Sequence, residues 1–292
     1  MIATPGAPEV HAALAGSGRV GAPRQRIAPA GVILVLFVAA AVAAPLLAPF
    51  DPAVSGDLVA EKLQPPSVAH WLGTDAAARD VLSRMLFGTR VSLGVAALSV
   101  CIALLVGVAW GCVAGLAPAW LDRWMMRAVD AVMATPRLLV VLACVAFTGR
   151  LAAPGLAVLL GLTAWPAMSR IVRGRVRELA VADYVVAARA LGTPGRAIVV
   201  RHILPGVMPA ALVTAILTAA SVIPLEAGLS YVGAGVAPPT ASWGSMLRDA
   251  SAQPLDAWWL LLFPSAAIAA TVMSVNVLGE RFQPRDRSLL GR

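Results

Sequence analysis

The strongest constraint on this chain is the recurrence of apolar blocks about as long as a bilayer is thick. Ile27 to Leu47 carries no charged side chain. A helix rising about 1.5 Å per residue needs ~20 residues to cross the ~30 Å hydrocarbon core, and this block supplies them. It exceeds the apolar core of about 7 to 15 residues typical of a cleaved signal peptide, so it reads as a first span. Further blocks follow at about 91–116, 126–147, 155–168, 207–229 and 258–278. They predict an all-α, polytopic membrane protein with six transmembrane helices over residues 27–292, behind a disordered cytoplasmic tail at 1–26.

Composition agrees. Of the 292 residues 59% are hydrophobic and 13% charged, whereas soluble domains are about a quarter charged. The net charge of +8 would suggest nucleic acid in a soluble protein, but here it comes from arginines flanking apolar blocks, where it sets orientation. With both termini placed in the cytoplasm, 17 of the 23 basic residues fall inside; Lys62, Arg79, Arg84, Arg90, Arg150 and Arg248 fall outside. Phe50 to Arg90 then lies outside, with Val81 to Phe87 as a short interfacial helix before the second span. The stretch from Ser230 to Pro254 is an outer loop, which suits contact with another protein or a re-entrant turn.

Residues 170–205 form the long polar interruption of the second half. Asp183 stands where a carboxylate favours a helix start, Gly192 stops that helix, and Gly195 to Ile203 forms a second. Seven arginines there face only Glu178 and Asp183. Such a hairpin buries no core of its own and must dock on something else; Ala187 and Ala188 would let a partner approach closely, and Leu204-Pro205 leads back to the bilayer. The plainer reading is a basic loop that fixes orientation only.

Other residues stand out for packing or burial. Gly107, Gly111 and Gly115 recur every fourth position and line one face of the second span for close helix packing. Glu226 lies inside the fifth span, where an unpaired carboxylate is costly; it pairs with an arginine of an adjacent helix or faces a water-filled path. Asn276 in the sixth span bonds a neighbouring helix or serves the same path. The three cysteines, Cys101, Cys112 and Cys144, sit in apolar segments and read as core residues.

Enzyme signatures are missing. The single lysine, Lys62, follows Glu61, so no GxxxxGK[ST] phosphate loop exists. His11, His70 and His202 are scattered and no HExxH occurs, which leaves no metal site and no cofactor site to propose.

The elbow at 183–205 resembles the EAA loop of binding-protein-dependent ABC importer permeases: Val186-Ala187-Ala188, Gly192 and Leu204-Pro205 keep its spacing, with Val186 where that family has Glu. HWLGTD at 70–75, RDVLSR at 79–84, SYVGAGVAPPTASWGSML at 230–247 and Asn276 to Gly279 are similar to the second permease subunit of dipeptide, oligopeptide and nickel importers. Ala78 and Gly279-Glu280 depart from the usual Gly and Gly-Asp. The resemblance spans about 30–280 and implies a type I ABC importer permease in a bacterial inner membrane, carrying a peptide, glutathione or nickel. It implies a homologous permease in a heterodimer, two ATP-binding subunits that hydrolyse ATP, and an extracytoplasmic substrate-binding protein. It also implies that Asp183, Tyr184, Ala187, Ala188, Arg189, Gly192, Leu204 and Pro205 couple to the ATPases. A secondary transporter and a non-transporting scaffold are the competing classes; no internal repeat supports the former.

Overall fold

A computed structural model describes residues 27–254 and 256–282. The amino-terminal tail and Arg285, Arg287 and Arg292 lie outside the described residues. The described elements are helical: α1 Ile27–Leu47, α2 Val81–Leu116, α3 Ala119–Ala134, α4 Arg137–Thr148, α5 Ala153–Ala180, α6 Asp183–Ala190, α7 Gly195–Ile198, a π segment Val199–Ile203, α8 Leu204–Tyr231, α9 Trp243–Ser251 and α10 Trp259–Phe282. Five helices are long and apolar enough to cross a membrane, or six if the bent pair α3 and α4 is one span.

Several elements differ from the sequence reading. The block at 126–147 is not one straight helix: α3 and α4 meet at 79°. Pro136 causes the break, since it disfavours helical geometry at Thr135, which is extended at φ −87° and ψ 126°. Val81 to Phe87 is no separate interfacial helix but the first turns of α2, started by Asp80, whose carboxylate accepts from the Ser83 N–H at 2.8 Å. At 36 residues α2 is about 54 Å long and projects well past the hydrocarbon.

The block at 155–168 also looked short because hydropathy reports lipid contact, not helix ends. Helix α5 runs on to Ala180, and Arg170, Arg173, Arg175 and Arg177 ride on it rather than on a loop. Val172, Val176 and Leu179 continue its buried stripe beyond the apolar block. The stretch after α8 that the sequence reads as a loop contains a true helix, α9, whose Ser242 cap and Ser245 form a capping box.

The bundle is organised around the α2–α5 seam. A Cβ on Gly107 would lie 2.5 Å from Met168 Cγ, one on Gly111 2.6 Å from the Ser169 carbonyl, and one on Gly115 2.7 Å from Val176 Cγ1. The seam is reciprocal: a Cβ on Gly161 of α5 would stand 2.8 Å from the Ser99 carbonyl of α2, and Ser99 Oγ donates to the Ala157 carbonyl at 2.9 Å. Lipid offers no hydrophobic drive for helix pairing, so this backbone proximity supplies the van der Waals contact that holds the pair.

Candidate functional site

The elbow between α5 and α8 begins where the buried stripe of α5 ends. Val181 and Ala182 leave the helix, and the Ala182 carbonyl accepts the N–H groups of Val185 and Val186 at 2.9 and 3.0 Å, which starts α6. Its end is closed by Gly192 at φ +79°, a conformation that glycine adopts freely. The Gly192 N–H donates to the Arg189 carbonyl at 3.0 Å and the Thr193 N–H to that of Ala188 at 3.1 Å. Pro194 then opens α7, which passes through the π segment directly into α8. The sequence reading of Gly195 to Ile203 as a free-standing second helix is therefore corrected: this stretch is the root of α8, and Leu204-Pro205 lies within a continuous helix.

The elbow is riveted to the bundle along one face. Val185, Ile198 and Ile203 are buried in the cluster formed by Met168, Val172, Val176 and Leu179 of α5 with Val207, Ala211 and Ala215 of α8. Movement of α6 is thereby tied to movement of both long helices. The opposite face is bare. Asp183, Tyr184, Val186, Ala187 and Arg189 are exposed, Ala188 is half-buried, and Leu191 at the tip is 87% exposed. Leu204 is half-buried and Pro205 exposed. A short rigid helix with an apolar, charge-fringed outer face can transmit displacement from whatever seats on it.

Glu226 and Asn276 are not brought together. Glu226 is only 1% exposed, and no arginine among the described residues meets it, contrary to one sequence reading. Its partners are hydroxyls: Ser230 Oγ donates to Oε1 at 2.7 Å and Ser92 Oγ to Oε2 at 3.1 Å. Ser242 Oγ contacts Ser230 Oγ at 3.2 Å, and the N–H of the fully buried Trp243 donates to Ser92 Oγ at 3.3 Å. The carboxylate thus fastens α2, α8 and the start of α9. A Cβ on Gly244 would lie 2.3 Å from the Ala227 carbonyl, so the α9 turn is seated against α8 itself. Asn276 instead sits exposed on α10, with no hydrogen bond from its amide among the described residues.

A second polar node joins blocks that are distant in sequence. Asp75 accepts the Ala77 and Arg79 N–H groups at 2.8 and 2.9 Å and pairs with both Arg79 and Arg84. Arg84 reaches Asp249 of α9 at 3.0 Å, and His70 Nδ1 lies 3.0 Å from Asp80. The HWLGTD, RDVLSR and SWGSML stretches are therefore one clasp holding the segment before α2 against α9. Sequence reasoning found the stretches but not Asp249, because a single aspartate in a loop gives no pairing signal. Among the described residues no cluster of three His, Cys, Asp or Glu is placed to hold a metal ion.

Residues 107–287 match the family model described as binding-protein-dependent transport system inner membrane component. The chain is 37% identical over 265 residues to the dipeptide transport system permease protein of Bacillus subtilis (strain 168), covering 89% of this chain and 81% of that one. It is 37% identical to the oligopeptide transport system permease protein of the same organism, over 85% of this chain and 81% of the relative. Against the glutathione transport system permease protein of Pectobacterium atrosepticum the identity is again 37%, over 88% and 85%. Among solved structures, a chain of the MetNI methionine ABC transporter in an inward-facing conformation shares the fold at a TM-score of 0.57 and 19% identity, covering 68% of this chain and 94% of that one.

Proposed function

The chain belongs to the family of binding-protein-dependent transport system inner membrane components, and from that membership we propose that it forms, with a homologous second permease, the translocation path of an importer for small peptides. It is a multi-pass membrane permease of the ABC type, and ATP hydrolysis belongs to separate ATPase subunits. Two such subunits seat on the elbows of the permease pair, and an extracytoplasmic binding protein delivers the solute. Both termini and α6 face the cytoplasm. Asp183, Tyr184, Ala187, Ala188, Arg189 and Gly192 form the coupling face, Leu204 and Pro205 carry its motion into α8, and Gly107, Gly111 and Gly115 keep α2 moving with α5.

The observation that carries this reading is the elbow's two-sidedness: Val185, Ile198 and Ile203 are locked into the bundle while the outer face stays bare. The peptide substrate class is supported by the relatives at 37% identity, named for dipeptide, oligopeptide and glutathione transport; nickel rests on the sequence resemblance alone. The test is reconstitution of the complete importer in vesicles with its binding protein and a labelled dipeptide. Uptake requires both ATP and the binding protein. Uptake that persists without ATP and follows an ion gradient would make the chain a secondary transporter, and ATPase association without any uptake would make it a scaffold.

A further inference from the structure

The groove between α3 and α5, at the same end of the bundle as α6, has no part in that mechanism. It is a cavity of about 480 Å³ lined by Arg123, Arg127, Arg170 and Arg173 with Asp122 and Asp130. Both carboxylates are already engaged. The buried Asp122 is gripped by Arg173, with one contact at 2.6 Å, and by Arg177, while Asp130 is held by Arg170. Arg123 and Arg127 are left over. Among the described residues Arg123 Nε donates only to the Ala119 carbonyl one turn back, at 3.1 Å, and the Arg127 guanidinium lies 5.3 Å from the centre of the Trp124 ring. Neither has a carboxylate partner among the described residues.

These two guanidiniums share α3 with Trp120 and Trp124, which are 60% and 64% exposed. Tryptophan concentrates at the headgroup level of a bilayer, where its ring meets the acyl boundary and its N–H meets water. The 79° bend takes α3 off the axis of the apolar α4, so the helix does not simply extend that crossing. A basic pocket between membrane helices, with surplus guanidinium forks and flanking indoles, matches a phosphate ester anchored in the bilayer.

We propose that this groove binds the headgroup phosphate of an anionic phospholipid through Arg123 and Arg127, with Trp120 and Trp124 resting at the headgroup boundary. Arg170 and Arg173 shape the pocket while remaining paired to their carboxylates. The lipid would brace α3 against α5, the helix whose far end carries the elbow.

The complete importer in nanodiscs of phosphatidylcholine and phosphatidylglycerol, read by native mass spectrometry, tests this. The wild-type complex retains phosphatidylglycerol in preference. Arg123→Gln or Arg127→Gln each weakens that preference about fivefold, and the pair multiplies the loss. In lipid-free detergent, thermal unfolding stays unchanged in these variants because neither side chain neutralises a carboxylate. The control pair Arg196→Gln and Arg201→Gln, which removes equal charge from the elbow, keeps the preference. Undiminished retention in the double variant, or equal loss in the control, overturns the site. Displacement of the lipid by soluble glycerophosphate, or crosslinking of Arg127→Cys to a partner subunit, overturns the lipid as occupant. Lipid retention is read without transport, so this result and the importer reading stand or fall separately.

Discussion

Gly192→Pro uncouples ATP hydrolysis from uptake. Gly192 holds φ at +79° and gives its N–H to the Arg189 carbonyl at 3.0 Å. Proline fixes φ near about −65° and has no N–H, so it can satisfy neither requirement. Crowding plays no part, since nothing lies within 4 Å of a Cβ built there; the effect is purely one of backbone geometry. Forcing a disfavoured backbone conformation costs about 1–3 kcal/mol, and ~1.4 kcal/mol is tenfold in an equilibrium, so the productive elbow is depopulated on the order of tenfold or more.

The turn projects beyond the apolar bundle, which leaves insertion and assembly intact. In vesicles, uptake falls on the order of tenfold, while ATPase activity persists and no longer responds to the loaded binding protein. Gly192→Ala, strained but not barred, falls between. Ala187→Trp reaches the same end by another route, because Ala187 is exposed and a large ring there obstructs the outer face without disturbing Val185 beneath. Normal coupling in both Gly192→Pro and Ala187→Trp would remove the elbow from the mechanism.

Arg84→Met produces the largest loss of stability. Arg84 is only 4% exposed and is shared between Asp75 and Asp249. Methionine keeps the packing of the stem and removes the charge, which leaves Arg79 as the remaining cation for the buried Asp75 and, at 3.5 Å, for Asp249 of α9. Removing one partner of a buried ion pair costs about 3–5 kcal/mol; Arg79 moderates this to roughly 3 kcal/mol. Arg79→Met, whose side chain is more open to water, costs about 1 kcal/mol. Thermal unfolding of the solubilised complex separates them: the Arg84 variant melts well below the Arg79 variant, and equal shifts would mean that the clasp is a surface feature.

What was legible in the sequence follows from which physics is local. Apolar blocks such as Ile27–Leu47 announce helices because the demand for backbone hydrogen bonds in lipid leaves few alternatives. The four-residue spacing of Gly107, Gly111 and Gly115 marked a close face of α2, but nothing pointed to its counterpart Gly161, which has no glycine four residues before or after it in α5. The break at Thr135 was hidden because proline alone does not decide: Pro45, Pro166, Pro209, Pro224 and Pro264 all sit inside helices. Pairing across the bundle was hidden too. For Glu226 the sequence offers an arginine partner or a water-filled path, yet the hydroxyls of Ser230 one turn on and of the distant Ser92 serve it, with Ser242 bonded to Ser230 behind them; a hydroxyl is too common in sequence to be assigned a partner.

The most direct measurement places the tip of the elbow relative to the membrane. With Cys101, Cys112 and Cys144 replaced by serine, Leu191→Cys is the only thiol in the chain. A membrane-impermeant maleimide then leaves intact cells unlabelled, labels inverted vesicles, and loses access to the site when the ATPase subunits are bound. Labelling of Leu191→Cys from outside intact cells would contradict a cytoplasmic elbow driven by ATP hydrolysis.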